Sequence, residues 1–346
     1  MKSIIQILVN QPENFTPTLA KSGIKELFKP ETTPAQISAF LIALKLQNKD
    51  SNAEIVAACA TTMLEFALTI DFSEYKGLQD SLVDIVGTGG DGMNTFNVST
   101  TAGIVAAGAG CKIAKFGNRA SSSKSGSADI LESLGCAISS LTPSEAPHII
   151  NKSNFCFLFA PVFHPALKNV AGPRREIGVS TIFNLLGPLL NPAQPKRVVI
   201  GVHSKNIGAL VAESLRLRGA TKAMVVHGII GLDEISPEGE TCVWELSQSK
   251  ITEYVVSPAD FGLPNHPIIS VVGGTSEENA AILGKLLEGN SEGPILDFVL
   301  LNAAAVLVVA DKARDFKEGV KLARESIKSG RALAALTDFR KALDRA

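Results

Sequence analysis

The sequence predicts an α/β protein in which a small all-helical lobe precedes a larger domain with a mostly parallel sheet flanked by helices. Three observations carry this expectation. No β-type run occurs before Leu82. From Leu82 onward, short apolar runs alternate with segments of helical period, the pattern of a sheet covered on both faces. The chain has 346 residues, 45% apolar and 19% charged, enough for a large core shared by two units.

In chain order, TTPAQISAFLIALKLQ (Thr32–Gln47) repeats apolar residues at helical spacing behind a Thr-Thr-Pro start. SNAEIVAACATTMLEFAL (Ser51–Leu68) follows, with an opening that resembles a capping box. The runs LVDIV, CKIAKF, FCFLFAP, RVVIGV and AMVVHG then read as strands. SADILESL and Ile207–Arg218 read as helices between them, Thr241–Val256 as an inserted hairpin, and the tail from Ser276 as largely helical. Ala166–Asn191 lacks any strand pattern and reads as helices that rejoin the N-terminal lobe. The expected boundaries are therefore 1–75 with 166–192 for the lobe, and 76–165 with 193–346 for the α/β domain.

The net charge of −1 gives no pull toward nucleic acid or an anionic membrane. The most apolar stretch, Phe298–Ala310, is interrupted by Asn302 and is too short to span a bilayer. The N-terminal apolar run lacks a small-residue cleavage site and does not read as a signal peptide. Five cysteines without a C-x-x-C read as reduced core thiols, so a cytoplasmic protein is expected.

Four stretches carry chemistry. Gly87, Gly89 and Gly92 spell G-x-G-x-x-G after a predicted strand, but the dinucleotide reading is weak. No acid occupies the region where a ribose ligand belongs, a polar stretch separates the glycines from the next helix, and Asp91 would repel a bare pyrophosphate. A glycine turn without a ligand remains the bland alternative. NVSTTAG (Asn97–Gly103) then places an amide and three hydroxyls at the start of the apolar helix GIVAAGA. Such a cluster suits a phosphate as well as a helix cap.

KFGNRASSSKSGSAD (Lys115–Asp129) holds three cations and five serines. After a neighbouring strand it would face the glycine turn, at the edge where open α/β sheets bind ligands. In the third stretch, Arg174 and Arg175 are expected near a helix start after Gly172-Pro173, and one of them is a candidate for bidentate carboxylate binding. In the fourth, Asp233 and Glu234 follow another β-type run and would supply oxygen donors to Mg²⁺. Each stretch alone also fits a solvated loop. His148, His203 and His266 show no metal-ligand spacing and read as structural.

Together the stretches resemble anthranilate phosphoribosyltransferase, the family of tryptophan biosynthesis. The matching segments are GTGGDG with TFNVST, K-x-GNRASSSKSGSAD-x-LE-x-LG, HPA-x-x-x-V with RR-x-x-G and TIFNLLGPLLNP, and GLDE. They run in family order over roughly Asp84–Pro237.

The resemblance implies that phosphoribosyl pyrophosphate is held by Gly87, Gly90, Asp91, Thr95, Asn97, Val98, Ser99 and Thr100, completed by Lys115, Gly117, Asn118, Arg119, Ser122, Ser123 and Ser127. It also implies anthranilate contacts at Gly87, Asn118 and Arg174, Mg²⁺ as cofactor on Ser99, Asp233 and Glu234, and a homodimer through the helical lobe. Two positions depart from the family pattern: Phe116 stands where K-H-G-N is common, and Ser180 where an arginine often precedes T-I-F-N.

The implied reaction is displacement of pyrophosphate at the anomeric carbon by the anthranilate amine, through an oxocarbenium-like transition state. No general base is identifiable. A pyrimidine-nucleoside phosphorylase is the nearest alternative, opposed by the RR-x-x-G stretch and the Asp-Glu pair. A non-catalytic relative that binds nucleic acid is opposed by the net charge.

Overall fold

The computed structural model describes residues 1–120 and 123–344. The N-terminal lobe holds α1 (Lys2–Asn10), α2 (Pro17–Leu27), α3 (Pro34–Leu46) and α4 (Ala53–Leu64). Thr33 caps α3 reciprocally with Gln36, and Pro34 occupies the first position, where its missing N–H costs nothing. The cap of α4 is Asn52, whose Oδ1 accepts from the Ile55 N–H at 3.0 Å. The capping residue is thus one position later than the Ser-Asn-Ala-Glu pattern suggests, because Ser51 belongs to the preceding 3₁₀ turn.

The larger domain is built on one seven-stranded sheet in the order β3-β2-β1-β4-β5-β6-β7. The strands are β1 (Leu82–Gly87), β2 (Lys112–Gly117), β3 (Phe155–Phe159), β4 (Arg197–Gly201), β5 (Lys222–Gly228), β6 (Thr241–Ser247) and β7 (Lys250–Val256). The first five pair in parallel. The hairpin β6–β7 is not an insertion apart from the sheet: it extends it antiparallel along β5.

β1, β2 and β3 run outward in one direction and β4 and β5 in the other, so the order reverses between β1 and β4. Crevices for ligands open at such reversals, beyond the carboxyl ends of the strands. Helix Val98–Gly108 and the largely apolar helix Pro294–Val309 pack over the centre of the sheet. β3 is buried throughout, which explains why FCFLF reads as a continuous apolar run rather than an alternating one.

The segment after β3 contains helix Lys168–Ile177, which packs against α3 of the lobe. Helix Gly208–Leu217 joins the two parts from the other side by packing on α4. Among the described residues, no helix is long and apolar enough to cross a membrane.

Candidate active site

Four parallel strands, β1, β2, β4 and β5, end on glycine at the same edge. Gly87 and Gly201 are register partners there. A Cβ on Gly87 would lie 2.4 Å from Asp233 Oδ2, and one on Gly201 would lie 1.5 Å from the Asp233 carbonyl oxygen. Their lack of side chains lets the loop after β5 fold back across the ends of β1 and β4. Asp233 and Glu234 are thereby carried to the crevice, 8% and 9% exposed.

The glycine turn is tied to this acidic pair. Gly89 and Gly90 adopt left-handed φ values of 67° and 84°. The Gly89 N–H donates to Asp233 Oδ2 at 2.6 Å. Asp91 turns its Oδ1 to the Met93 N–H at 3.1 Å and remains close enough to Asp233 to raise its pKa.

Helix Val98–Gly108 begins five residues before the GIVAAGA run, so Val98, Ser99 and Thr100 occupy its first turn. The intervening polar residues have no preference strong enough to end the helix before packing extends it. From β2 the wholly buried Lys115 reaches under this turn. Its Nζ donates to the Ile85 carbonyl at 2.5 Å and to Ser99 Oγ at 3.3 Å. Ser99 lies near enough to Glu234 to oppose part of the rise in its pKa.

Burial raises the pKa of Glu234 well above the usual carboxylate value; Asp233 and Asp91 add to the rise and Lys115 opposes it. Burial, with repulsion from Asp91, pushes Asp233 up to about 7. Burial lowers Lys115, against the pull of Asp84 and Glu234. The site is therefore short of positive charge for the carboxylates it contains.

That shortage suits a divalent cation. Among the described residues no group of three or more His, Cys, Asp or Glu side chains is arranged to hold a metal. The donor set of two carboxylates and one hydroxyl fits Mg²⁺, which ordinarily takes one or two carboxylates and completes its shell with water and substrate phosphate.

Other expected residues fall into distinct groups. Thr100 Oγ1 is buried, with no hydrogen-bond partner among the described residues. Val98 is buried in the core, Thr95 bridges to Val272, and Gly117 packs against Ser127 and the Phe157 ring. Asn118 is exposed at the mouth of the loop and accepts the Ser127 hydroxyl on its carbonyl at 3.1 Å. Ser123 is exposed. Ser122 lies outside the described residues.

Two residues are engaged elsewhere. The Arg119 fork is taken up bidentately by Glu132, at 3.2 and 2.6 Å, and covers the Phe159 ring. The Asn97 amide does not cap its helix; it bonds to Ser125 and Asn279.

Arg174 and Arg175 lie in the last turn of helix Lys168–Ile177, not near a helix start as Gly172-Pro173 suggests. Packing of this helix on α3 overrides the break expected at Pro173, and Gly178 ends it in the left-handed conformation at φ 67°. The Arg174 guanidinium stands 4.8 Å over the Phe183 ring centre, and burial lowers its pKa. Among the described residues it pairs with no carboxylate.

Phe116 is 5% exposed and meets His164 edge-on, with ring centres 5.4 Å apart. His164 in turn bonds through Nε2 to the Leu190 carbonyl at 2.7 Å. The aromatic departure at Phe116 is thus absorbed as packing. His148, His203 and His266 each find a local partner: the Tyr75 hydroxyl, Thr88 Oγ1 and Asp297.

Sequence reasoning passed over Val271–Asn279. This segment pairs with Asn94–Phe96 through the Phe96 N–H to the Val271 carbonyl and the Gly273 N–H to the Asn94 carbonyl, both at 2.9 Å. The only local signal was the Thr275–Glu278 capping box, which marks a helix and says nothing of its neighbour.

Comparison with known proteins agrees with this geometry. Residues 2–67 match the family model of a glycosyl transferase helical bundle domain, and residues 79–333 that of the glycosyl transferase a/b domain. An anthranilate phosphoribosyltransferase of Schizosaccharomyces pombe is 44% identical over 321 residues, 92% of this chain and 90% of its own. The structure of the Thermus thermophilus anthranilate phosphoribosyltransferase superposes with a TM-score of 0.91 at 40% identity, over 100% of both chains. That of the Saccharomyces cerevisiae enzyme in complex with PRPP and Mg gives 0.90 at 35%, over 100% of this chain and 98% of the other.

Proposed function

The chain belongs to the anthranilate phosphoribosyltransferase family, and we propose that it transfers the phosphoribosyl group of 5-phosphoribosyl 1-pyrophosphate to the amine of anthranilate, releasing pyrophosphate. The observation that carries this reading is the convergence of Ser99, Lys115, Asp233 and Glu234 at the crevice between β1 and β4.

Ser99, Asp233 and Glu234 would hold Mg²⁺, which supplies positive charge against the pyrophosphate. The chain's own residues do the rest. The first turn of helix Val98–Gly108 offers the N–H groups of Ser99 and Thr100 and the Ser99 hydroxyl, a helix start at which phosphate oxygens bind favourably. Lys115 places a desolvated ammonium beneath that turn and offsets negative charge as the pyrophosphate departs. The Gly89–Asp233 bond keeps the glycine turn closed over the acidic pair.

On the acceptor side, the guanidinium of Arg174, stacked on Phe183, offers a planar fork to the anthranilate carboxylate. The aromatic amine is neutral at physiological pH and already nucleophilic. Holding it in line with the anomeric carbon supplies catalysis without a general base.

A homodimer through the helical lobe and a cytoplasmic location belong to the same reading. Val9 and Leu46, 56% and 74% exposed on the mutually packed α1 and α3, support the first. The direct test mixes protein, Mg²⁺, phosphoribosyl pyrophosphate and anthranilate, and follows the loss of anthranilate fluorescence. Absence of turnover, with free base released from thymidine or uridine and phosphate instead, would replace this reading with a nucleoside phosphorylase.

A further inference from the structure

Asn279 is 1% exposed and lies in the first turns of helix Ser276–Leu287, far along the chain from the glycine turn and the serine loop. The helix start is held by Thr275 and Glu278. The Thr275 side chain accepts from the Glu278 N–H at 3.3 Å, and Glu278 Oε2 accepts from the Thr275 N–H at 2.8 Å. Both ends of the Asn279 amide are used. Oδ1 accepts from the Gly274 N–H at 2.8 Å, and Nδ2 donates to Asn97 Oδ1 at 2.8 Å.

Asn97 passes the constraint on. Its Nδ2 donates to the Ser125 carbonyl at 3.0 Å, and its Oδ1 also accepts the Ser125 hydroxyl at 3.1 Å. One chain of amides therefore joins the turn at Gly274, the start of helix Val98–Gly108 and the end of the serine loop. The backbone pairing of Val271–Gly273 with Asn94–Phe96 runs alongside. Gly273 must be glycine there, since a Cβ would lie 2.9 Å from Asn279 Nδ2 and 3.0 Å from the Thr95 carbonyl.

We propose that Asn279 is a positioning residue for the sugar-pyrophosphate donor. Through Asn97 it sets the spacing between the helix start that carries Ser99 and the serine loop after β2. This rests on the donor site assigned above. The amide is specifically required. Were its Nδ2 replaced by an oxygen, Asn97 would face an acceptor with its own Oδ1. Turning the Asn97 amide over would repair that contact but point its oxygen at the Ser125 carbonyl, so one bond is lost either way.

The test is Asn279→Asp, which keeps the acceptor for the Gly274 N–H and removes only the donor. We expect the donor KM to rise about tenfold, the loss of one buried hydrogen bond of about 1.4 kcal/mol, with anthranilate KM at saturating donor within about twofold of wild type. In a double-mutant cycle, Asn279→Asp adds little once Asn97→Ala has removed its partner. A donor KM unchanged, or both KM values raised alike, overturns the proposal, as does full additivity.

Hydrogen exchange on the unaltered chain provides a measurement that survives a poorly folding variant. Phosphoribosyl pyrophosphate with Mg²⁺ should protect the amides of Gly273 and Gly274 together with those of Val98 and Ser99. Protection at the helix start alone overturns the role of Asn279. Protection at neither place overturns the donor site itself.

Discussion

The carbonyl oxygen of Asp233 occupies the space a side chain on Gly201 would need: a Cβ there would sit 1.5 Å away. Two residues on different strand-loop units are thus locked together by the absence of an atom. The acidic pair is held against the sheet edge by backbone contact as well as by the Gly89–Asp233 hydrogen bond.

Gly201→Ala should destabilise the protein by about 1–3 kcal/mol through overpacking. It should also lower kcat/KM by more than about tenfold, since the shift is transmitted to Asp233 and Glu234. Gly284, in helix Ser276–Leu287 with nothing within 4 Å of a built Cβ, offers the contrast. Gly284→Ala should stabilise by about 0.4–1 kcal/mol with activity retained. Urea unfolding and steady-state kinetics on both variants check the pair; equal effects would mean that the close approach at Gly201 is not what holds the loop.

Replacing Asp233 and Glu234 by Asn and Gln should reduce turnover by about two orders of magnitude, the scale of losing several kcal/mol of charge stabilisation. In chelator the same variant should melt higher than wild type, because two buried, mutually repelling carboxyls are gone. Donor with Mg²⁺ should raise the Tm of wild type and not that of the variant. Unchanged activity at every Mg²⁺ level would falsify the metal assignment.

Arg174→Ala should raise the anthranilate KM about 10–100-fold, as expected for a charge-assisted hydrogen bond worth about 1.5–3 kcal/mol, and leave the donor KM nearly untouched. Arg174→Lys should recover little, since a point charge lacks the planar fork and stacks poorly on Phe183. Equal changes in both KM values would assign Arg174 to scaffold.

Asp84 predicts a pH dependence of stability. It is wholly buried, accepts from Asn191 Nδ2 at 2.8 Å and the Phe116 N–H at 3.3 Å, and burial pushes its pKa up to about 6. A carboxyl whose folded pKa lies above its unfolded value binds its proton more tightly in the native state. Its contribution to stability therefore improves as pH falls through about 6, is complete below about 4, and is lost again as pH rises. The slope of unfolding free energy between those values should differ between wild type and Asp84→Asn, by of order a few kcal/mol across the window. Parallel curves would show that Asp84 does not titrate there.

Much of the site was legible because its parts are local. Lys115, the serine loop and Asp233-Glu234 each announce themselves by side-chain chemistry next to an apolar run, and the structure brings Ser99, Lys115, Asp233 and Glu234 together. Arg119 and Asn97 were legible as polar groups in the right loops but not as groups already committed to Glu132, Ser125 and Asn279. The helix position of Arg174 was misread because Pro173 is a strong local breaker, and the packing on α3 that overrides it has no local mark.

Sequence by itself determined the helical lobe, the strand runs, the order of the chemical loops and, through their combined resemblance, the family. These depend on periodicity and residue type within short windows. Tertiary structure alone decided the reversal between β1 and β4, the clash that reserves Gly87 and Gly201 for glycine, and the clasp of Val271–Asn279 on Asn94–Asn97. Those contacts join residues far apart in the chain. Closing such loops costs entropy that only the packed sheet and its helices offset, so no short window of sequence records them.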